Sequence, residues 1–363
     1  LRRLIVSVTN DLTTDQRVHK ICTSLQNMGF EIILIGRLLK NSSPLKRRYK
    51  TIRMKLWFTK GFLFYANYNM ALFFKLLFIK KEVLLANDLD TLLPNFLICK
   101  LFNKPLVYDS HELFTEVPEL IDRPFQKNFW LKIEKIILPK IKYCYTVSNS
   151  IADYYNDKYN TGFKVVKNYP KQIKKITKSR FPFEIENKKL ILYQGALNKG
   201  RGLELMIYTM SFIEEALFVL IGDGDIKNEL KYLVEQKNLQ EKVKLIYKMS
   251  PAKLKNLTPL AHLGVSLEED LGLNYRYALP NKLFDYIQAN IPVLVSDLPE
   301  MKSVVLKYNL GEIVTNRNPK ALAEQIKTIL TKDNYKKTLK VAAKLLTWEN
   351  EEKKLIKIYK NFV

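Results

Sequence analysis

The sequence predicts an α/β protein made of two successive parallel-sheet domains. Three observations carry this. Short runs rich in β-branched residues end in polar turns, helical spacing fills the intervals between them, and a polar, lysine-rich stretch from Lys171 to Lys189 divides two such series. A chain of 363 residues has the length of about two domains.

The first series opens with Leu4-Ile5-Val6-Ser7-Val8 as a strand and Thr9-Asn10-Asp11 as its turn. Arg17 to Met28 then has helical spacing at Val18, Ile21, Cys22 and Leu25, with Gly29 just past its end and Ile32 to Ile35 as the next strand. Val83 to Ala86 runs into Asn87-Asp88, a helix follows through Leu92 to Phe102, and Pro105 to Tyr108 runs into Asp109-Ser110-His111. Cys144 to Val147 ends in the cap Ser148-Asn149-Ser150, and Val165-Val166 closes the series. The second series has strands at Leu190–Tyr193, Leu217–Ile221, Val243–Ile246, Leu263–Leu267 and Pro292–Val295. Such halves read as two Rossmann-like domains facing across a cleft, over residues 1–169 and 170–346. Ligands of such sheets lie beyond the carboxyl ends of the strands, so the polar turns are where chemistry is sought.

Charge and composition narrow the function. Sixty Lys and Arg against thirty-six Asp and Glu give a formal +24, unevenly spread: residues 1–81 hold sixteen basic and three acidic residues, while residues 82–170 are balanced. No acid lies between Glu31 and Glu82. A basic face with interleaved aromatics suits an anionic membrane surface or nucleic acid. No RNP, zinc-finger or helix-turn-helix pattern accompanies the charge, so nucleic acid is not an expected partner. Phe62 to Ile79 is marginal as a membrane span and carries Asn67, Asn69 and Lys75. It reads as a helix on a core or at an interface. Three scattered cysteines, Cys22, Cys99 and Cys144, fit a reducing compartment. With no secretory signal at the start of the sequence, the expected location is cytoplasmic, peripheral at the inner face of the membrane.

The strongest motif is Ala278 to Tyr286, ahead of Ile291 to Asp297. Pro280 starts a helix whose free N–H groups and dipole attract an anion, Lys282 adds a charge, and Asp285 lies one turn in, able to accept from sugar hydroxyls. With this block in place, the order of turns resembles the retaining GT-B glycosyltransferases of family 4. The matching pieces are Asn10-Asp11 with Asp15 to Val18, Ala86 to Asp90, Tyr108 to Glu112, Tyr193-Gln194-Gly195 with Gly200-Arg201-Gly202, Ile221 to Gly224, Glu268 to Leu273, and Pro280 to Tyr286. They run from near residue 8 to about residue 315.

The resemblance implies transfer of a sugar from a nucleotide-sugar donor (UDP- or GDP-sugar), with anomeric configuration kept and without a metal or other cofactor. It assigns Arg201 to the donor diphosphate. Ala196 stands where the family usually carries a further Arg, and Lys282 and Lys199 are the residues to take that role. Gly272 and Leu273 present backbone N–H groups to the donor, and Asp285 holds the ribose. Counting eight positions back from Asp285 reaches Tyr277, not an acid, so the loop Glu269-Asp270-Leu271-Gly272-Leu273 supplies the other carboxylate. Glu269 is assigned to the sugar hydroxyls, with Glu268 in reserve. His111 matches the family's His at the domain cleft. Lys248 and Met249 fall where the family cups the nucleobase, and Asn10 and Asp11 where an acceptor approaches. Residues 347–363 would form a last helix crossing back to the first domain, with Trp348 as a packing anchor.

The expected activity is thus a retaining glycosyltransferase building a bacterial surface glycan on a glycan or lipid-linked acceptor, with residues 37–81 as its membrane-facing surface. A nucleotide-sugar epimerase of the same fold and a basic nucleic-acid-binding protein are the alternatives.

Overall fold

The computed structural model describes the chain except Leu1, Thr14, Ile121, residues 174–176, Lys178, Glu186, Asp333 and Val363, so part of the stretch read as a linker lies outside the described residues. The chain divides into two units. Unit 1 is Leu1–Asn168 with Glu351–Val363, and unit 2 is Tyr169–Asn350.

Unit 1 holds the strands β1 (Arg3–Asp11), β2 (Glu31–Arg37), β3 (Lys50–Met54), β4 (Val83–Asn87), β5 (Leu106–Ser110), β6 (Tyr143–Thr146) and β7 (Lys164–Val165). Its helices are α1 (Gln16–Asn27), α2 (Gly61–Phe78), α3 (Leu89–Phe102), α4 (Pro124–Ile137) and α5 (Asn149–Tyr159). The sheet order is β3-β2-β1-β4-β5-β6-β7 with parallel pairings. The order reverses between β1 and β4, the switch point at which such sheets bind ligands. The central strands are buried on both faces, from Leu4, Ile5 and Val6 to Leu84, Leu85 and Val107. That is why they read as apolar runs and not as alternating patterns.

The turn expected at Thr9-Asn10-Asp11 is instead the end of β1, where the register against β2 shifts between Ser7 and Asp11. Side chains hold this extension. Tyr68 Oη donates to the Val8 carbonyl at 2.6 Å, and the Thr9 hydroxyl donates to Asp90 Oδ2 at 2.6 Å. Helix α1 starts where the sequence caps it, with Asp15 accepting from the Val18 N–H.

Unit 2 holds β8 (Lys189–Ala196), β9 (Ala216–Asp223), β10 (Val243–Tyr247), β11 (Leu263–Ser266), β12 (Val293–Val295) and β13 (Gly311–Ile313). Between and after them come α6 (Leu203–Met210), α7 (Lys227–Gln236), α8 (Pro251–Leu257), α9 (Leu273–Arg276), α10 (Asn281–Gln288), α11 (Pro299–Tyr308), α12 (Pro319–Thr331) and α13 (Lys336–Leu345). Helix α14 (Trp348–Tyr359) begins in unit 2 and ends in unit 1. The second sheet runs β10-β9-β8-β11-β12-β13, again parallel, with its switch point between β8 and β11. Two Rossmann-like units, as the alternating pattern predicts, make the fold α/β of the GT-B type.

The end of α14 completes unit 1. Tyr359 packs edge-on against Phe30 and Tyr145, and Phe362 against Tyr143. Trp348 is buried in unit 2, its N–H donating to the Pro170 carbonyl at 2.8 Å. Among the described residues no helix is long and apolar enough to cross a membrane.

Candidate functional site

At the switch point of unit 2, β11 ends in Ser266 and the chain continues through Leu267 to Glu268 and Glu269. Successive residues of an extended chain face opposite ways. Ser266 and Glu268 accordingly meet, the hydroxyl donating to Glu268 Oε2 at 2.7 Å. Glu268 is buried, and Lys282 Nζ, from the first turn of α10, donates to its Oε1 at 2.6 Å. Arg201 Nη1 stands 3.5 Å from the same oxygen. Burial alone would raise the Glu268 carboxyl above its ordinary range. The charge and hydrogen bond of Lys282, then Arg201 and Ser266, reverse this and hold it below. Two cations converge on one carboxylate and leave a surplus of positive charge.

Aromatic faces position both cations. Lys282 Nζ lies 4.2 Å from the centre of the Tyr193 ring, and the Arg201 guanidinium 4.9 Å from that of Tyr275. Arg201 stands between Gly200 and Gly202 in the turn that opens α6. Gly202 has φ +69°, and a Cβ there would collide with the Leu267 carbonyl oxygen. Only glycine lets this turn close on the end of β11 and carry Arg201 to Glu268. Gly222, within β9 and opposite Gly195 of β8, is close-packed as well: a Cβ there would collide with the Gly195 carbonyl oxygen.

Further along α10, Asp285 is half-buried, its Oδ2 accepting from Gln194 Nε2 at 2.9 Å, while Gln194 Oε1 accepts from the Thr258 hydroxyl at 2.8 Å. Glu269 is partly exposed and lies 3.8 Å from Arg317 Nη2. Arg317 also donates to the Leu267 carbonyl and to the Ser296 hydroxyl, just past the end of β12, at 3.1 Å each. Lys199 is exposed, and its carbonyl accepts from the Tyr275 hydroxyl at 3.1 Å. Gly272, at φ +128° with open space before it, starts the one-turn α9 at Leu273. Lys248 is exposed after β10, and Met249 packs partly into the unit 2 core.

A second cluster occupies the ends of β4 and β5 in unit 1. The His111 ring meets a carboxylate oxygen at both nitrogens, Nδ1 to Asp88 Oδ2 and Nε2 to Asp109 Oδ2, each at 3.1 Å. Both nitrogens can act as donors only in the protonated ring. Burial opposes that charge, but Asp88 and Asp109 outweigh it and lift the His111 pKa to about 9. Arg17 of α1 grips Asp109 in a buried fork, Nε to Oδ2 at 3.0 Å and Nη2 to Oδ1 at 2.7 Å. Asp88 sits at φ 60° and ψ 165°, a backbone state costing about 1–3 kcal/mol for a residue with a side chain. The hydrogen bond from the His111 N–H to Asp88 Oδ1, 2.7 Å, helps hold it there.

Asn10 and Asp11 lie at the end of β1 in the same unit. Asn10 Nδ2 donates to Asp15 Oδ2 at 3.1 Å. Asp11 accepts from the Ser42 hydroxyl at 2.5 Å and from Arg53 at 3.1 Å, which ties the 39–53 segment to the end of β1.

Of the residues singled out in the sequence, the structure gathers Arg201 and Lys282 in unit 2, with Asp285 on the same helix. It groups them on Glu268, the reserve candidate, and turns Glu269 toward Arg317. Arg317 and Ser266 carry no sequence signal for a site. Gln194, Arg17, Asp88 and Asp109 stand within the motifs of the resemblance without a role of their own. For the last three, the run Asp-Ser-His after a strand is the available sign that their charges meet.

Residues 175–346, which contain the Glu268 cluster, match the family model described as Glycosyl transferases group 1. No curated protein matches the sequence. Sucrose-phosphate synthase from Thermosynechococcus elongatus superposes with a TM-score of 0.81 at 16% identity, covering 100% of this chain and 99% of that one. A glycosyltransferase from Rickettsia africae gives 0.72 at 16%, covering 99% and 98%. HepE from Anabaena, solved with UDP and glucose, gives 0.74 at 12%, covering 99% and 100%. At such identities the likeness is one of fold along the whole chain.

Proposed function

We propose, from the match of residues 175–346 to the glycosyl transferases group 1 within a chain of GT-B fold, that the protein moves a sugar from a nucleotide sugar to a glycan or lipid-linked acceptor, with retention of anomeric configuration. The observation that carries this reading is the pair Arg201 and Lys282 converging on buried Glu268 at the switch point of the second sheet. A departing nucleoside diphosphate needs positive charge that is already in place, so that no reorganisation is required as the bond breaks. Here that charge is fixed by one carboxylate and two aromatic faces. Arg201, Lys282 and Lys199 are assigned to the diphosphate, with the backbone of Gly272 and Leu273. Asp285 is assigned to the ribose, Glu269 to the sugar hydroxyls, and Lys248 and Met249 to the nucleobase. Glu268 acts through the two cations it positions.

His111 is the catalytic assignment of unit 1, a cation whose ring is oriented by two carboxylates, with Asn10 and Asp11 on the acceptor side. The excess of basic residues in 1–81 supports an anionic membrane surface as the place where the acceptor is met, at the cytoplasmic face, and surface polysaccharide synthesis as the setting.

The test is a panel of UDP- and GDP-sugars, UDP-glucose first because HepE is solved with UDP and glucose. The expected result is acceptor-dependent release of nucleoside diphosphate, with the anomeric coupling constant of the donor kept in the product. An isomerised donor without released diphosphate would instead identify an epimerase. Arg201→Ala is expected to lower donor turnover about 10²-fold with the fold intact by circular dichroism; wild-type turnover would remove Arg201 from the site.

A further inference from the structure

Helix α2 of unit 1 is apolar on two opposite sides. Phe64, Tyr68, Leu72 and Leu76, spaced four apart, are buried against the core of the unit. Met70, Phe74 and Phe78, also spaced four apart, are 64%, 54% and 83% exposed. A helix that is apolar all round belongs in an apolar environment on both sides, and here only one is supplied. Beside the exposed stripe, α2, α3 and α4 border a groove of about 450 Å³. Met70, Phe74, Leu97, Phe129 and Trp130 are among its walls, and its polar contributors are Tyr65 and Asn69. The Asn69 amide is already committed to the Tyr65 and Asp90 carbonyls, both at 2.8 Å. The volume is that of a small-ligand site, but the chemistry offered is almost purely hydrocarbon.

The exposed charges of α2, α3 and α4 have one sign. The three helices carry Lys75, Lys100, Lys132 and Lys135 exposed, with Lys127 paired to Glu116. Their two acids, Asp90 and Glu134, are buried. An exposed apolar face of this extent marks an interaction site. A second copy of the chain would bring the same lysines against these, which disfavours self-pairing. An anionic leaflet offers both hydrocarbon and the opposite charge.

We infer that the groove between α2, α3 and α4 takes an acyl chain of an anionic phospholipid bilayer, with the exposed lysines of these helices set against its headgroups. This rests on the membrane reading above and gives it a face and an occupant. The hydrocarbon term and the headgroup term act together: lysines draw the face to the bilayer, and burial of Met70, Phe74 and Phe78 keeps it there.

Trp130 lines the groove and serves as a reporter. With Trp57→Phe removing the exposed indole, Trp348, buried in unit 2, is a constant background. The experiment mixes this protein with vesicles of phosphatidylglycerol and phosphatidylcholine whose acyl chains are brominated. The expected result is quenching of Trp130 emission, weakened by salt and absent with phosphatidylcholine alone. Ala66→Phe, at an exposed position on the groove wall, is expected to abolish quenching and weaken vesicle binding about 10-fold, with circular dichroism unchanged. Vesicle binding without quenching, or equal quenching in Ala66→Phe, overturns the groove assignment while leaving the membrane reading standing. Failure to bind anionic vesicles overturns both. Quenching that needs a brominated isoprenoid glycolipid and ignores phospholipid assigns the groove to the acceptor's own chain and overturns the proposal. A dimer in sedimentation velocity that Ala66→Phe dissolves assigns it to a second copy and does the same. Thermal shift with UDP-glucose reads the donor site in the same variant and is expected to be unchanged, so loss of donor binding remains distinguishable.

Discussion

Glu268 and His111 are charged groups held in place by opposite charge, and each can be tested by removing a partner. Lys282→Met leaves the buried Glu268 carboxylate with Arg201 alone, 3.5 Å away and partly exposed. Stripping one partner from a buried pair costs about 3–5 kcal/mol. Arg201→Ala leaves the closer Lys282 contact intact, and a loss below about 1 kcal/mol is expected. Urea unfolding of the two variants checks the contrast; equal losses would mean that Arg201 shares the pairing equally. For His111 the sign follows from its raised pKa. The ring binds its proton more tightly in the folded chain, so the stabilisation is full below about pH 6.5, the ordinary value, and is lost as pH rises through about 9. The shift corresponds to at most about 3 kcal/mol. Stability measured from pH 6 to 10 is expected to fall in the wild type and to stay flatter in His111→Asn.

At the scale of elements, the end of β11 shows both what is legible in the sequence and what is hidden there. The apolar run Leu263 to Leu267 and the acidic loop after it are plain in the sequence. Which of two adjacent glutamates faces Lys282 depends on the phase of an extended chain, and that phase is set by Ser266. Arg317, which lies near Glu269, arrives from a segment after β13, a three-residue strand too short to leave a pattern. Strand β3 and helix α4 are equally hidden: β3 is a half-exposed edge strand without alternation, and α4 carries its buried residues among lysines. The Pro280 block is legible because capping, charge and an apolar face coincide within nine residues of α10 and its approach. The turn before α6 gives a prediction at this scale. Gly202→Ala forces a side chain against the Leu267 carbonyl at a positive φ, and a loss of more than about 1 kcal/mol is expected. Because Leu267 sits between Ser266 and Glu268, weaker nucleotide binding is expected as well. Calorimetry of the variant, alone and titrated with UDP, checks both.

At the scale of the whole molecule, the two units have separate sheets and separate cores, a division already visible in the sequence as two strand series with a polar stretch between them. Units with their own cores can unfold as separate transitions. A nucleotide that binds residues of unit 2 stabilises that transition by mass action and leaves the other in place. Differential scanning calorimetry with and without UDP is expected to move one of two peaks. A single peak that moves as a whole would show that the units unfold together. The formal +24 also has an uneven home: unit 1 concentrates it before residue 82, on the stretch that includes α2.

The division at Asn168 and Glu351 bears on how the chain is made. Unit 2 is continuous, so its core can close as soon as residue 350 has left the ribosome. Unit 1 is not. Until residues 351–363 have been synthesised, the Lys167 N–H lacks its acceptor Glu351, and Phe30, Tyr143 and Tyr145 lack the rings of Tyr359 and Phe362. The usual order, in which the amino-terminal domain of a nascent chain is finished first, is here inverted. The first unit to emerge is the last to be completed.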